Sequence, residues 1–360
     1  MKIAPLMAEY KKHPEIEAII VHTGQHYGRA MSQLFFDELE IPRPEINLGV
    51  RSGSHGVQTA EIMKRFEPVV LKYKPDLVLV VGDVNSTIAC ALVAAKIGIK
   101  VAHVEAGLRS FDREMPEEIN RVLTDAISDY LFVTEPSGLV NLKKEGIPNG
   151  KVFFVGNVMI DTLKQNVKKA DQSTILYKLR VKEKEYTLVT LHRPTNVDDP
   201  IVLKRFLDVF KKISYRLPVI FPAHPRTLKN IKTFNFESKM ATQPRVSDVP
   251  SNVGLQLIKP LGYLDFLRLM ASAKVVLTDS GGIQEETTIL KVPCLTLREN
   301  TERPITVEVG TNILVGTHPD DILKSFDKLM ENYNVRSITP DLWDGSAAER
   351  IVRILLNSLL

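Results

Sequence analysis

Residues 278–304 read TDSGGIQEETTILKVPCLTLRENTERP and come directly after the apolar run Lys274-Val275-Val276-Leu277. The run ends in Thr278-Asp279-Ser280-Gly281-Gly282, and a helical pattern opens at Ile283. This order predicts a strand, a tight glycine turn and a helix N-terminus. Paired glycines let backbone N–H groups approach a ligand, and the unpaired N–H groups of a helix start offer donors and partial positive charge to an anion. Glu285 and Glu286 fall about one turn into that helix, where a carboxylate can accept two ribose hydroxyls. Arg303 comes after the next strand and can meet a phosphate with two parallel N–H bonds. An ordinary strand–turn–helix needs none of this, and Ser-Gly-Gly alone is a weak motif. The glutamate pair and the arginine together tip the balance to a nucleotide-diphosphate cradle.

Outward from this block, apolar runs of strand length alternate with helix-period segments along the whole chain. Strands are expected at 18–23, 77–82, 101–105, 130–134 and 152–156, and again at 187–191, 219–222, 255–258, 275–278 and 294–297. Strict β/α alternation implies parallel, doubly wound sheets. At 360 residues the chain is too long for one ordinary core. The polar segment from Leu163 to Lys184 divides it into residues 1–165 and 166–346, each expected to form a Rossmann-like domain. The two would face one another across a cleft lined by strand C-terminal ends. The amphipathic segment Ala347–Leu359 is expected to cross back onto the first domain.

The start of the chain departs from this scheme, because a helical segment, Ile3–Lys12, precedes the first strand. In a doubly wound sheet the first strand is normally central. An unusual topology, or a further strand upstream, is therefore expected.

With 44% apolar and 25% charged residues, the composition is that of a globular protein. The net charge of +4 comes from basic residues spread along the chain, which does not favour nucleic-acid binding. Cys90 and Cys294 lie in apolar surroundings without metal-ligand spacing and read as buried thiols of a reducing cytoplasm. No stretch approaches 18 uninterrupted apolar residues, and nothing reads as a signal sequence. A cytoplasmic location is expected.

Three carboxylates sit at or just after strand ends. Asp83 succeeds Leu77-Val78-Leu79-Val80-Val81-Gly82, Glu105 succeeds Val101-Ala102-His103-Val104, and Glu117 lies in Met115-Pro116-Glu117-Glu118-Ile119-Asn120-Arg121. The C-terminal edge of a parallel sheet is where ligands bind, and carboxylates sharing one site can divide into acid and base. Glu117 has an equally plain structural explanation, since acids just after a proline in the first helical turn match the helix dipole. His192 and Arg193 end the strand Thr187–Leu191, where a cationic pair could hold a diphosphate or donate a proton. His224 and Arg226 end the next strand and read as structural.

The motifs TGQHY, VVGDVNS, HVEAGLRSFDREMPEEINR, LHRP, TDSGGIQEET and TERP together resemble the non-hydrolysing UDP-N-acetylglucosamine 2-epimerases over nearly the whole chain. The resemblance implies a two-domain fold of the glycosyltransferase-B type. It also implies interconversion of UDP-N-acetylglucosamine and UDP-N-acetylmannosamine, feeding cell-surface polysaccharides. It places Asp83, Glu105, Glu117 and His192 at catalytic positions, and Lys2, Phe266, Ser280, Gly281, Gly282, Glu286 and Arg303 at UDP-binding positions. No nicotinamide or metal is signalled, and a homodimer is implied. The family pattern normally begins with a strand and Gly-Thr-Arg-Pro-Glu, and then an Ile-Lys-Met-Ala-Pro-Leu-like stretch. Met1-Lys2-Ile3-Ala4-Pro5-Leu6 matches only that last part. An upstream extension of about 12 to 20 residues is therefore expected from typical element lengths. Gln25 and His26 match an allosteric position for the substrate itself, but Tyr27-Gly28 replaces a more polar continuation. The alternatives are a hydrolysing epimerase, a glycosyltransferase of the same architecture, and a UDP-sugar-binding protein without catalysis.

Overall fold

The computed structural model describes residues 1–24, 29–236, 254–331 and 337–359. Gln25 and His26 lie outside the described residues. The chain divides into two compact units, Met1–Gln165 with Pro340–Leu360, and Asn166–Thr339. The return to the first unit thus starts at Pro340, before the amphipathic helix Ala347–Leu359 begins. The polar segment between the halves is not an open linker. The helix Val158–Ala170 runs through the boundary, and the short helix Ile175–Leu179 comes after it.

In the first unit, a separate parallel pair joins β1 (Val21–His22) to β2 (Ile46–Asn47). The first strand is therefore shorter than the apolar run around it suggests. β3 (Leu77–Val81), β4 (Lys100–Ala106), β5 (Tyr130–Val133) and β6 (Val152–Phe154) form a parallel sheet in sequence order. β4 and β5 are buried nearly throughout, as expected of inner parallel strands covered on both faces. β3 alternates instead. Val78 and Val80 pack with Ile62, Phe66 and Val70 of the helix His55–Tyr73, while Leu77, Leu79 and Val81 turn to Leu6, Ile351 and Leu355. Both faces are thus covered by helices, and the last helix packs against the first, Ala4–Tyr10. Trp343 anchors the return segment, donating its Nε1–H to the carbonyl of Thr134 at 2.9 Å.

The strands of the second unit are β7 (Thr187–Thr190), β8 (Val219–Pro222), β9 (Leu255–Ile258), β10 (Val275–Thr278), β11 (Cys294–Thr296) and β12 (Asn312–Leu314). They form one six-stranded parallel sheet in the order β12-β11-β10-β7-β8-β9. The core on one face is built by the amphipathic helix Pro200–Ser214, which buries Leu203, Phe206, Leu207, Val209, Phe210 and Ile213. Each such side chain contributes about 1.5–3 kcal/mol on burial. Winding runs outward from β7 in one direction and from β10 in the other, so the order reverses between these two neighbours. In parallel sheets the ligand crevice forms at such a reversal, beyond the strand C-termini. Both cysteines are buried free thiols. Among the described residues no helix is long and apolar enough to cross a membrane.

Candidate active site

In the second unit, β7 and β10 pair in register, with Thr190 opposite Thr278. The segments leaving them, Leu191-His192-Arg193 and Asp279-Ser280-Gly281, are thereby set side by side at the reversal. Asp279 ties them together. Its fully buried carboxylate accepts from the backbone N–H of His192 (3.0 Å) and Arg193 (2.8 Å) and from Nδ2 of Asn196 (3.1 Å). Its Oδ1 lies 2.8 Å from Nδ1 of His192. Burial opposes the charge, but the His192 ring and these N–H groups outweigh it and hold Asp279 down at about 2. A carboxylate on Nδ1 fixes the ring and leaves Nε2 for chemistry, the relation of base to orienting acid.

The helix Gly281–Leu290 starts at this point. Ser280 makes no side-chain capping bond, and no acidic residue lies in the first turn. Its first N–H groups therefore keep their capacity for an anion. Gly281 is required for a reason the sequence does not show. A β-carbon there would come within 2.7 Å of Cζ of Arg303 and 2.8 Å of Oε1 of Glu302. Arg303 itself is buried and holds two carboxylates, donating Nε–H to Glu285 at 2.7 Å and Nη1–H to Glu302 at 2.5 Å. Expected to face phosphate, it is also a pillar behind the glycine turn. Glu302 in turn lies 2.8 Å from Arg298 and 3.4 Å from Arg193. Burial opposes its charge, but these guanidinium groups hold its carboxyl well below the usual range.

Glu286 is buried, and the hydroxyl of Tyr263 donates to it at 2.8 Å. Burial, with Glu285 adding to it, pushes Glu286 up to about 8. Burial likewise raises the Tyr263 hydroxyl above its usual range. Phe266 lies one turn further along the same helix, Tyr263–Ser272, and is half-buried. His224 caps its own helix by accepting from the N–H of Arg226, while Arg226 pairs with Asp198 at 2.8 Å. Both residues serve local structure.

In the first unit, Asp83 and Glu105 end adjacent paired strands. Lys2 pairs with the buried Glu105. Lys2, implied for UDP, is thus placed at a carboxylate expected to be catalytic. Asp83 is gripped from the helix Pro116–Ile127. Nη1 of Arg121 donates to its Oδ2 at 2.5 Å, and Nδ2 of Asn120 donates to its carbonyl at 2.9 Å. The two neighbouring glutamates on this helix part company. Glu118 is buried and accepts from the N–H groups of Ser110 (3.0 Å) and Phe111 (2.9 Å) and from Arg121 (2.6 Å). Burial opposes its charge, but these donors hold it below the usual range. Glu117 is half-buried and has no side-chain partner among the described residues. Lying three and four positions before Asn120 and Arg121, it shares the helix face turned to Asp83. The sequence motifs do not single out Arg121, Asn120, Asp279 and Tyr263 as site residues. All four are polar residues inside otherwise core-facing patterns, which is the signal that could have found them.

Among the described residues no group of three or more His, Cys, Asp and Glu is placed to hold a metal ion.

Two parallel α/β units, one presenting strand-end carboxylates and the other an uncapped helix start at a topological switch, define an enzyme acting on a nucleotide-linked substrate. The family model for UDP-N-acetylglucosamine 2-epimerase matches residues 8–356. The UDP-N-acetylglucosamine 2-epimerase of Methanocaldococcus jannaschii is 47% identical over 360 residues, covering 99% of this chain and 95% of that one. A crystal structure of a Methanocaldococcus jannaschii UDP-GlcNAc 2-epimerase with UDP-GlcNAc and UDP superposes with a TM-score of 0.91 at 46% identity, covering 99% and 96% of the two chains. The UDP-2,3-diacetamido-2,3-dideoxy-D-glucuronate 2-epimerase of Pseudomonas aeruginosa is 40% identical over 313 residues, 86% of this chain and 83% of that one. The chain belongs to the UDP-N-acetylglucosamine 2-epimerase family, whose two-domain fold is of the glycosyltransferase-B type.

Proposed function

We propose that the protein is an isomerase that interconverts UDP-N-acetylglucosamine and UDP-N-acetylmannosamine through Asp83, Glu105, Glu117 and His192. One observation carries the catalytic part. Glu117 has no partner among the described residues, on the helix face that grips Asp83 beside Glu105. A carboxylate without a structural duty at a strand-end crevice is a candidate for proton transfer.

The hydrogen on carbon 2 of the sugar is weakly acidic, so direct deprotonation is hard. A carboxylate takes it as a proton while the bond from carbon 1 to the diphosphate oxygen breaks. Carbons 1 and 2 are then joined by a double bond in a 2-acetamidoglucal, and UDP carries the electron pair away. In the return step the diphosphate oxygen re-forms its bond to carbon 1, and a second acid delivers a proton to the opposite face of carbon 2. Atoms and charge balance without a cofactor. Leaving-group charge is what the helix start at Ser280, Gly281 and Gly282, with His192 and Arg303, is suited to stabilise. Phe266 offers a ring to the uracil, Glu286 acceptors to the ribose, and Lys2 a cation beside Glu105. A homodimer working in the cytoplasm and supplying cell-surface polysaccharide synthesis completes the proposal.

A second substrate has support from the Pseudomonas aeruginosa relative, whose sugar differs at carbons 3 and 6 but reacts at the same carbon. Incubation of each UDP-sugar in deuterated water, with NMR of the sugar afterwards, tests the set. Deuterium at carbon 2 in a mixture of both UDP-N-acetylhexosamines is the expected result. Free N-acetylmannosamine would mean hydrolysis, and a substrate without deuterium would overturn epimerisation.

A further inference from the structure

Next to the first unit's carboxylates in the chain lies a buried charged network. His103, on β4 two residues before Glu105, is fully buried. Its Nδ1 is 2.6 Å from Oδ1 of Asp125, and its Nε2 is 2.9 Å from the carbonyl oxygen of Gly82. A carbonyl oxygen only accepts, so Nε2 must donate. Oδ2 of Asp125 already accepts from the N–H of Gly107 at 3.0 Å and lies 2.7 Å from Nη2 of Arg109. Burial opposes its charge, yet His103, Arg109 and Gly107 hold this carboxyl below the usual range. Both ring nitrogens of His103 are therefore engaged, Nδ1 by the carboxylate of Asp125 and Nε2 by the carbonyl of Gly82. Arg109 continues to Glu145 through two bonds of 2.8 and 2.7 Å. Asp125 and Arg109 are thus buried as members of one paired network rather than as isolated charges.

The network grips two places where the backbone is unusual. Glu105 has φ of +80°, in the left-handed region that a residue with a β-carbon rarely adopts, inside a bulge where the β4–β5 register shifts. Such strain costs about 1–3 kcal/mol and persists only where the surroundings enforce it. Asp125 holds both flanks of this residue, the ring of His103 before it and the N–H of Gly107 after it. Gly107 is pinned besides by Asn141, which donates to its carbonyl at 2.9 Å. A β-carbon at Gly107 would come within 2.6 Å of the carbonyl oxygen of Gly138, so the bulge is also packed from outside. The second place is Gly82, whose carbonyl belongs to the peptide unit that carries Asp83. Its N–H donates to the carbonyl of Val104 at 3.0 Å, and its own carbonyl accepts from His103. On the other side of Gly82, Nζ of Lys2 and Oε2 of Glu105 lie 2.8 and 3.4 Å from where a β-carbon would stand.

We propose that Asp125 and His103 are positioning residues that lock Glu105 in its strained bulge and fix the peptide carrying Asp83, so that the two carboxylates keep one geometry towards the sugar. This rests on the catalytic assignment of Asp83 and Glu105. The pair touches no substrate. It acts through two backbone segments, and a single hydrogen-bonded unit controls both.

The test uses the full chain with Asp125→Asn and His103→Gln. Each keeps the side-chain shape of one partner but cannot serve both flanks with charge. The expected result is a fall in kcat for carbon-2 deuterium exchange on the order of a hundredfold, the cost of displacing a catalytic group by about 1 Å. KM and the dissociation constant for UDP should stay within about twofold, because the cradle residues belong to the other unit. Wild-type kcat in a folded Asp125→Asn or His103→Gln protein would overturn the proposal. A parallel loss of UDP affinity and melting temperature in both variants would overturn it as well, in favour of a purely structural role. Glu105→Gln separates the two layers. Full exchange activity in that variant brings down the catalytic assignment, whereas an inactive Glu105→Gln beside a fully active Asp125→Asn brings down the positioning role alone.

Discussion

Nδ1 of His192 sits 2.8 Å from Oδ1 of Asp279, and the same carboxylate receives the backbone N–H of His192. One buried acid therefore sets both the ring and the main chain of the residue two positions beyond β7. If His192 exchanges a proton with the departing diphosphate through Nε2, the carboxylate is what keeps the proton of the neutral ring on Nδ1. Asp279→Asn keeps the shape and an acceptor for the backbone N–H groups but can present an amide N–H to Nδ1, favouring the wrong tautomer. The expected loss in kcat is about 10²-fold or more, in the range assigned to a well-placed acid or base. Steady-state kinetics alongside UDP titration decides it, and unchanged kcat would remove His192 from the chemistry.

Glu286 gives a pH signature in the absence of substrate. Its carboxyl is pushed up to about 8 from an ordinary 4.5, chiefly by burial. Between those two values the folded protein holds a proton that the unfolded chain has released. Stability from this group is therefore largest below about 4.5, falls as pH rises, and levels off above about 8. The slope is at most about 1.4 kcal/mol per pH unit. Glu286→Gln keeps an acceptor for the Tyr263 hydroxyl and removes the titration. Melting temperatures measured from pH 5 to 9 should show the variant gaining on the unsubstituted protein towards the alkaline end. The same variant should bind UDP more weakly, because an amide offers the ribose hydroxyls one acceptor oxygen where the carboxyl offers two.

Gly281 is constrained by the arginine behind it rather than by its backbone angles. Arg303 and Glu302 are both buried and joined to Glu285 and Arg298, so neither end can swing aside. Gly281→Ala should destabilise the second unit by about 1–3 kcal/mol, as overpacking does. It should also lower UDP affinity by disturbing the first turn of the helix. A denaturant melt with UDP titration reads both effects, and an alanine tolerated without loss would mean that the Arg303 pillar yields.

Much of this was legible because parallel strands and the residues that end them are local signals. The runs at Leu77–Val81 and Val275–Thr278 announced Asp83 and the Ser280 turn directly. What stayed hidden depends on partners distant in sequence. Arg121 meets Asp83 across 38 positions, and Tyr263 meets Glu286 across 23. Nothing at either site alone marks the pairing. Arg303 could be read as a phosphate ligand because an arginine near a glycine turn suggests one, but its two buried carboxylates become visible only once the helix and the TERP segment are packed together. The first strand shrank to two residues because regular ladder pairing is limited to Val21 and His22, against Ile46 and Asn47.

Glu117 and Glu118 are the sharpest case, since adjacent identical residues cannot be told apart by composition or dipole. The loop from Ser110 to Met115 folds back so that two of its N–H groups point at Glu118, and Arg121 closes the other side. Removing that charge leaves Arg121 underpaired in a buried place, so Glu118→Gln should cost about 3–5 kcal/mol. It should also loosen Asp83, because Arg121 holds both acids. Glu117 has no partner to lose among the described residues, so Glu117→Gln should leave the melting temperature within about a degree while abolishing carbon-2 exchange. A chemical-denaturation curve and a deuterium-exchange assay on the two variants give opposite patterns under these assignments. If Glu117→Gln melted early and exchanged normally, its role would be the helix dipole and the catalytic set would shrink to Asp83, Glu105 and His192.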